Sequence, residues 1–427
     1  MSINVGIAGL GVVAQALLEL AKKNADQLND ITAKTLCVAR LASRRLRDEV
    51  ELGEIAFSTN LDDLVTDDDL NVVIELIGGT DAAYDLIKAC LERGRGVITA
   101  NKAVLATHGN ELLEIACARN VPLAFEAAVA GGIPIIAALK TRFPANDINW
   151  VTGIINGTCN YILTAMSEEG VAFEDALRKA QDLGYAEADP TFDVGGMDAA
   201  QKLAILVALA FDVPIEIDEV YCEGIQDITL ADIRHADEFG YSIKHLAIGR
   251  QDEDVIEMRV HPALVPKDNL LAKVNDVENA VQVGTTNTGV LRFTGPGAGG
   301  DATATSVIAD LTNIASGLYR QPGIGGGALK ARPIGEVSSA FFLSIAAADR
   351  AGVIASIGET LASHGISIAS MVQKQEEVVR SDDRAVIPVV ILTNEVAEHE
   401  LDQSLRELES LEDIASPIKK IRVVDLA

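Results

Sequence analysis

Short apolar, β-rich runs alternate with helix-length amphipathic segments from the start of the chain. The runs fall at residues 3–8, 36–39, 72–77, 97–99 and 122–125, with helices expected at 12–24, 82–93 and 110–120. The last two helices end near a Gly or Asn, residues that tolerate the backbone of a helix stop. This alternation predicts a parallel, doubly wound α/β sheet. Past Glu126 the pattern changes to longer loops and mixed strands and helices, with one strongly apolar helix expected at 197–211. After Gly335 a compact unit follows: strand 340–346, helix 353–363, strands 366–372 and 385–393, acidic helix 395–411 and strand 418–424. That order is βαββαβ, the ferredoxin-like split unit. Between them, Gly323-Ile324-Gly325-Gly326-Gly327 lacks the Lys-Ser/Thr ending and following helix of a phosphate loop and reads as a linker.

A chain of 427 residues is too long for one ordinary core, and three domains are expected. Apolar residues make up 48% and charged residues 23%, a globular balance. The formal net charge of −28 repels nucleic acid and anionic membranes, so a phosphate-bearing ligand needs local cations and backbone amides. No apolar run is long enough to span a bilayer, and the first 20 residues lack a signal-peptide pattern. Five scattered cysteines without a C-x-x-C pair fit a reducing cytoplasm, and the six histidines show no metal-ligand spacing.

Gly9-Leu10-Gly11-Val12-Val13-Ala14 follows the first strand and opens a helix, the context in which G-x-G-x-x-A binds a dinucleotide. Gly9 permits the tight turn, Gly11 admits the pyrophosphate, Ala14 keeps helix and strand close, and the helix N-terminus supplies amides. The second strand is expected to end at Arg40, with Arg44 and Arg45 just beyond. Cations at that position accommodate a 2′-phosphate, so NADP is favoured and NAD retained as a second cofactor.

Asp198 and Lys202 stand four residues apart at the start of the apolar helix, hence on one face. A lysine among apolar neighbours has a tunable proton affinity suited to proton transfer. Lys102 follows the strand at 97–99, outside a carboxyl end of the sheet, where doubly wound folds place ligands.

Together the chain resembles homoserine dehydrogenase along essentially its whole length. The motifs are Gly9-Leu10-Gly11, Glu75-Leu76-Ile77-Gly78-Gly79, Thr99-Ala100-Asn101-Lys102, Glu126-Ala127-Ala128-Val129-Ala130-Gly131-Gly132-Ile133-Pro134 and Asn156-Gly157-Thr158-Cys159-Asn160-Tyr161. Further along come Gly184-Tyr185-Ala186-Glu187-Ala188-Asp189-Pro190, Asp198 with Lys202, Tyr221-Cys222-Glu223-Gly224-Ile225 and Gly297-Ala298-Gly299-Gly300-Asp301-Ala302-Thr303. The resemblance implies reversible NAD(P)H-dependent reduction of L-aspartate 4-semialdehyde to L-homoserine, in threonine, methionine and isoleucine biosynthesis. It implies that Lys202 is the proton donor, with Lys102 near the reacting carbonyl and the nicotinamide, and that Asp198, Glu187 and Gly184 hold the substrate. It adds Val12, Val13, Gly79 and Gly299 to the cofactor contacts, and a Na+ or K+ site formed by the Glu126 side chain and the carbonyls of Val129, Gly131 and Ile133.

The implied organisation is a Rossmann domain over 1–130, completed by about 296–320, and a mixed α+β substrate and dimerisation domain over 131–320. A linker over 321–338 then leads to a unit over 339–427 that resembles an ACT domain through Asp349-Arg350-Ala351-Gly352-Val353 and Gly365-Ile366-Ser367-Ile368. Most such modules carry Pro where Ala351 stands. Threonine as effector and a homodimer or homotetramer follow from the resemblance. Two other readings stay open: an acylating aldehyde dehydrogenase with Cys159 as nucleophile, and a non-catalytic nucleotide and amino-acid sensor. In a sensor, Lys102, Glu187, Asp198 and Lys202 have no reason to converge.

Overall fold

The computed structural model describes residues 2–47, 50–141, 145–323, 327–328, 330–373, 379–381 and 384–424. Its first layer is a six-stranded parallel sheet. In space the strands run Ala56–Ser58, Thr35–Ala42, Ser2–Ala8, Val72–Glu75, Gly96–Thr99, Leu123–Ala124. This is the doubly wound order in which a dinucleotide lies across the reversal beside the first strand. The edge strand Ala56–Ser58 has three residues, too few to leave a periodic signal in the sequence.

Two local readings change. The strand that was to end at Arg40 continues to Ala42, which moves the strand-end position to Ser43 and Arg44. The helix expected at 110–120 begins eight residues earlier and spans Lys102–Arg119. Asn101 starts it: the side chain accepts a hydrogen bond from Val104 N at 3.3 Å, satisfying an amide that the first turn leaves open. As a result Lys102 is the first helical residue rather than part of a loop.

The second sheet is continuous through the rest of the molecule. Its main path is Gly289–Pro296, Glu278–Thr285, Ile148–Ile154, Tyr241–Asp252, Val255–Pro266, Ile414–Val423, Ser338–Ala348, Arg384–Thr393, Ile368–Gln373. The apolar helix Met197–Phe211 packs on it, with Leu203, Ala204, Leu206 and Val207 in the same core as Val151, Ala247 and Val281. The last four strands of that path have the antiparallel order of the ferredoxin-like unit, with helices Val353–Ser363 and Glu398–Glu409 over one face. The sequence pattern did not reveal that Ile414–Val423 also pairs in parallel with Val255–Pro266, through Ala263 with Arg422 and Leu264 with Val423.

Arg422 is buried at this seam. Its guanidinium donates to Glu398 Oε2 at 2.8 Å, Glu223 Oε2 at 2.7 Å and the Tyr221 hydroxyl at 3.0 Å. Of the expected linker, residues 324–326 and 329 lie outside the described residues. The remainder is docked: Gly327 N donates to Asp212 O, and Arg332 N to Ile256 O at 2.8 Å.

Candidate active site

The glycine loop after the first strand has the shape a dinucleotide needs. Gly9 has φ +100°, and a Cβ there would fall 2.5 Å from the Leu76 carbonyl oxygen. Gly11 caps helix Val12–Lys23, and no atom stands within 4 Å of where its Cβ would be. Ala14 is fully buried beneath it with Val5 and Ile7. Gly78 shares a cavity wall with Gly11, Gly299 lines the neighbouring walls with Val12 and Val13, and these two and Gly79 have positive φ and open space above their Cα atoms. Glu75 shapes the Gly78 side of the loop, accepting from Ile77 N at 2.8 Å, Gly78 N at 3.2 Å and Thr99 Oγ1 at 2.5 Å. The residues present therefore fit a dinucleotide: backbone amides at a helix start and glycines where side chains would obstruct.

Beside this loop a cavity of about 410 Å3 is lined by Gly9, Gly11, Gly78, Arg44, Arg45 and Arg47. Arg40 is not in its wall. Because the strand continues two residues past it, the Arg40 guanidinium reaches Asp67 Oδ2 at 2.8 Å instead. Val12 is 69% exposed, and Val13 lines the adjoining cavity.

That second cavity, about 590 Å3, holds the titratable groups. Lys102, Gly184, Glu187, Asp193, Asp198 and Lys202 all line it, from four separate stretches of chain. Asp198 is their hub. Its Oδ2 lies 2.7 Å from Lys202 Nζ and its Oδ1 3.2 Å from Lys102 Nζ. Asn156 Nδ2 donates to Asp198 Oδ2 at 2.7 Å and to Asp193 Oδ1 at 2.9 Å. Lys202 also donates to the Ile155 carbonyl at 2.7 Å, so two of its three ammonium hydrogens are spoken for and the third is left to the cavity.

Burial pushes the Asp198 carboxyl upward, but Lys202 and Lys102 outweigh it and hold the group at about 2. Asp198 is thus an ionised anchor for two ammonium groups. Its Oδ2 is taken by Lys202 and Asn156, whereas Oδ1 meets only Lys102 and keeps acceptor capacity in the cavity wall.

Asp193 was missed in the sequence. Burial and the nearby Asp198 raise its carboxyl against the hydrogen bond from Asn156. It sits in the short helix Thr191–Val194, which has no apolar period to announce it. Asn156 stood only as part of a motif; in the structure it caps helix Gly157–Glu169 through Cys159 N at 2.7 Å while its amide spans the two aspartates. Glu187 is exposed at the cavity rim. Thr158 Oγ1, donating to Tyr185 O at 2.7 Å, ties its loop down.

The sequence alternative based on Cys159 fails on geometry. The thiol is fully buried, lies outside the cavity wall, donates to the Asp193 carbonyl at 3.2 Å, and is pushed well up by burial and by Asp193. A thiol so held supplies no thiolate. Convergence of Lys102, Glu187, Asp198 and Lys202 likewise removes the reason for a sensor without chemistry.

At the expected cation site, Glu126 Oε1 and Oε2 accept from Ile136 N at 2.9 Å and Ala137 N at 2.7 Å, so the side chain caps helix Ile135–Thr141. The Gly131 carbonyl accepts from Ser306 Oγ at 2.7 Å and the Ile133 carbonyl from Ile135 N at 2.8 Å. Asp310 stands beside Glu126, accepting from its amide at 2.8 Å. Burial first, then this second carboxylate, push the Glu126 carboxyl up, while burial pushes Lys140 down. The Glu126, Gly131 and Ile133 oxygens thus each already accept a hydrogen bond, and Lys140 faces the two acids, so a hard monovalent cation would take only their remaining lone pairs. No cluster of three His, Cys, Asp or Glu side chains suited to a metal occurs among the described residues.

Comparison with known proteins points to one family over the whole chain. A family model described as homoserine dehydrogenase matches residues 134–312, its NAD-binding-domain model residues 9–126, and an ACT-domain model residues 341–413. The chain is 42% identical over 434 residues to the homoserine dehydrogenase of Pseudomonas aeruginosa, covering 99% of each. The crystal structure of a homoserine dehydrogenase from Thiobacillus denitrificans superposes with a TM-score of 0.93 at 39% identity, covering 100% of this chain and 99% of that one. A hyperthermophilic archaeal homoserine dehydrogenase in complex with NADPH matches 75% of this chain and 100% of its own, with a TM-score of 0.65 at 26% identity. The chain belongs to the homoserine dehydrogenases, NAD(P)-dependent oxidoreductases, in the form that carries a C-terminal ACT domain.

Proposed function

We propose that the chain reduces L-aspartate 4-semialdehyde to L-homoserine, reversibly, in the cytoplasmic biosynthesis of threonine, methionine and isoleucine. The observation that carries this is Asp198 gathering Lys102 and Lys202 at one cavity that adjoins the glycine-lined dinucleotide loop. When bound, the nicotinamide dinucleotide supplies the hydride for the aldehyde carbon. Lys202 gives its free proton to the aldehyde oxygen as that atom gains charge, and in the reverse direction takes it back from the alcohol. Lys102 adds a second positive charge beside the same oxygen, so the developing anion meets a preorganised cationic field. Asp198, Glu187 and Gly184 hold the substrate's amino-acid end, and Asp193 in the same wall adds a second carboxylate for its ammonium.

Gly9, Gly11, Val12, Val13, Gly79, Lys102 and Gly299 hold the cofactor. Arg44 and Arg45 favour NADP over NAD, and Arg40 joins them by exchanging Asp67 for a 2′-phosphate. A Na+ or K+ held by Glu126 and the carbonyls of Val129, Gly131 and Ile133 would fix the 126–133 loop. Threonine acts through the ACT domain on a homodimer or homotetramer.

The test is NADPH consumption on addition of aspartate 4-semialdehyde, with and without threonine. Turnover that millimolar threonine slows supports the full reading. Turnover indifferent to threonine, together with an unchanged melting temperature, removes the effector; absence of turnover removes the enzyme.

A further inference from the structure

The active-site cavity contains two chemically different groups of residues. Lys102, Asp193, Asp198 and Lys202 form the charged group, joined through Asp198 and Asn156. The other wall is small and neutral, with Val13, Ala127, Ala130, Gly131, Gly297 and Gly299. Within this neutral wall lies a polar side chain that nothing above explains.

Asn279 sits on strand Glu278–Thr285 opposite Gly295, is 1% exposed, and lines the cavity. Its carboxamide lies against Gly297, where an added Cβ would fall 2.0 Å from Asn279 Cγ. Gly297 in turn is pressed against Gly131, whose own Cβ would come within 2.6 Å of the Gly297 carbonyl. The chain thus surrenders two side chains to make room for this one. Yet Asn279 Oδ1, fully buried, has no hydrogen-bond partner. A buried amide left unmet carries a desolvation penalty with nothing in return.

We propose that Asn279 is the recognition group for the carboxamide of the nicotinamide ring. A primary carboxamide offers donors and an acceptor, and so does its partner, so two such groups satisfy each other. A charged end of the substrate is the wrong match for this wall, because there it would lose water and face no counter-charge. The inference rests on the reading above, in which the nicotinamide lies beside Lys102. Asn279 thereby contributes to which face and rotation of the ring meet the substrate.

The experiment measures dissociation constants by dihydronicotinamide fluorescence for wild type, Asn279→Ala and Asn279→Leu. The two ligands are NADPH and its reduced 3-acetylpyridine analogue, which keeps the carbonyl acceptor but replaces the amide NH2 with methyl. Wild type is expected to prefer NADPH by about tenfold, the scale of one hydrogen bond. Both variants are expected to lose most of that preference, chiefly by binding NADPH more weakly. Equal weakening of both ligands, or no change in either, overturns the proposal in favour of a packing role. The leucine variant keeps the test valid if alanine leaves too large a hole to fold. Homoserine-dependent reduction of NADP by the wild type, measured alongside, separates this inference from the enzymatic reading: its absence sinks that reading and the inference with it, whereas equal binding alone sinks only the inference.

Discussion

Lys202 Nζ lies 2.7 Å from Asp198 Oδ2 along one face of a helix, and the same carboxylate reaches Lys102 from a different domain through its other oxygen. One buried anion therefore sets the position of both cations. Its ionisation is secure: a carboxyl held at about 2 keeps its charge as pH falls through the ordinary carboxylate range, while its contribution to stability declines from that range, where the unfolded chain takes up its proton, down to about 2.

Asn substituted for Asp198 removes the anchor charge and leaves two ammonium groups close together. We expect Asp198→Asn to lower kcat by ~10²-fold or more through misplaced lysines, with a much smaller rise in the dissociation constant for NADPH through Lys102. Steady-state kinetics with a fluorescence titration check this. Parallel loss of kcat and cofactor affinity would point to general unfolding instead.

The buried acids at Glu126 and Asp310 give a pH dependence of opposite sign. Burial raises Asp310 to about 6 and raises Glu126 as well, so the folded state holds those protons more tightly than the unfolded chain. Stability from this pair is fully present below the ordinary carboxylate range and declines as pH rises toward neutrality. A bound Na+ or K+ offsets the decline. The melting temperature is expected to rise on replacing tetramethylammonium chloride with sodium or potassium chloride at equal ionic strength, more at pH 8 than at pH 5.5. Equal rises at both pH values would contradict the site.

Cys159 is expected to be dispensable for chemistry. Cys159→Ala should retain kcat within about twofold, with a modest loss of stability from the vacated core space. A loss of two orders of magnitude in a folded variant would restore the thiol mechanism.

Arg44 and Arg45 line the cavity next to Gly9 and Gly11, so their replacement acts on the dinucleotide alone. Replacing both with alanine is expected to raise KM for NADP by about tenfold or more while leaving KM for NAD and homoserine nearly unchanged. A uniform rise for both cofactors would place the 2′-phosphate elsewhere.

What the sequence made legible was local. The Gly9 to Ala14 loop and the Asp198–Lys202 spacing are written in consecutive residues, and a strand–loop–helix context or a helical turn suffices to interpret them. Lys102 beside Asp198 needs two domains to meet, and only resemblance to a family anticipated it. The end of the second strand was misplaced because a strand end cannot be fixed to a residue: pairing continues two residues past Arg40, whose guanidinium meets Asp67. Asp193 and Asn279 gave no signal at all. One sits in a single turn of helix, and the significance of the other is an unmet hydrogen bond, visible only once its surroundings are in place. The pairing of Ala263 with Arg422, which joins the ferredoxin-like strands to the rest of the second sheet, is equally non-local.

The central claim, that Lys202 is the proton donor at a site built by Asp198, is tested most directly by single-turnover reduction of aspartate 4-semialdehyde with prebound NADPH in wild type and Lys202→Ala. The account predicts a loss of ~10²-fold or more in the chemical step with NADPH affinity retained, the scale of a general acid. A variant that reacts within about threefold of wild type would contradict it and move the proton transfer to Lys102.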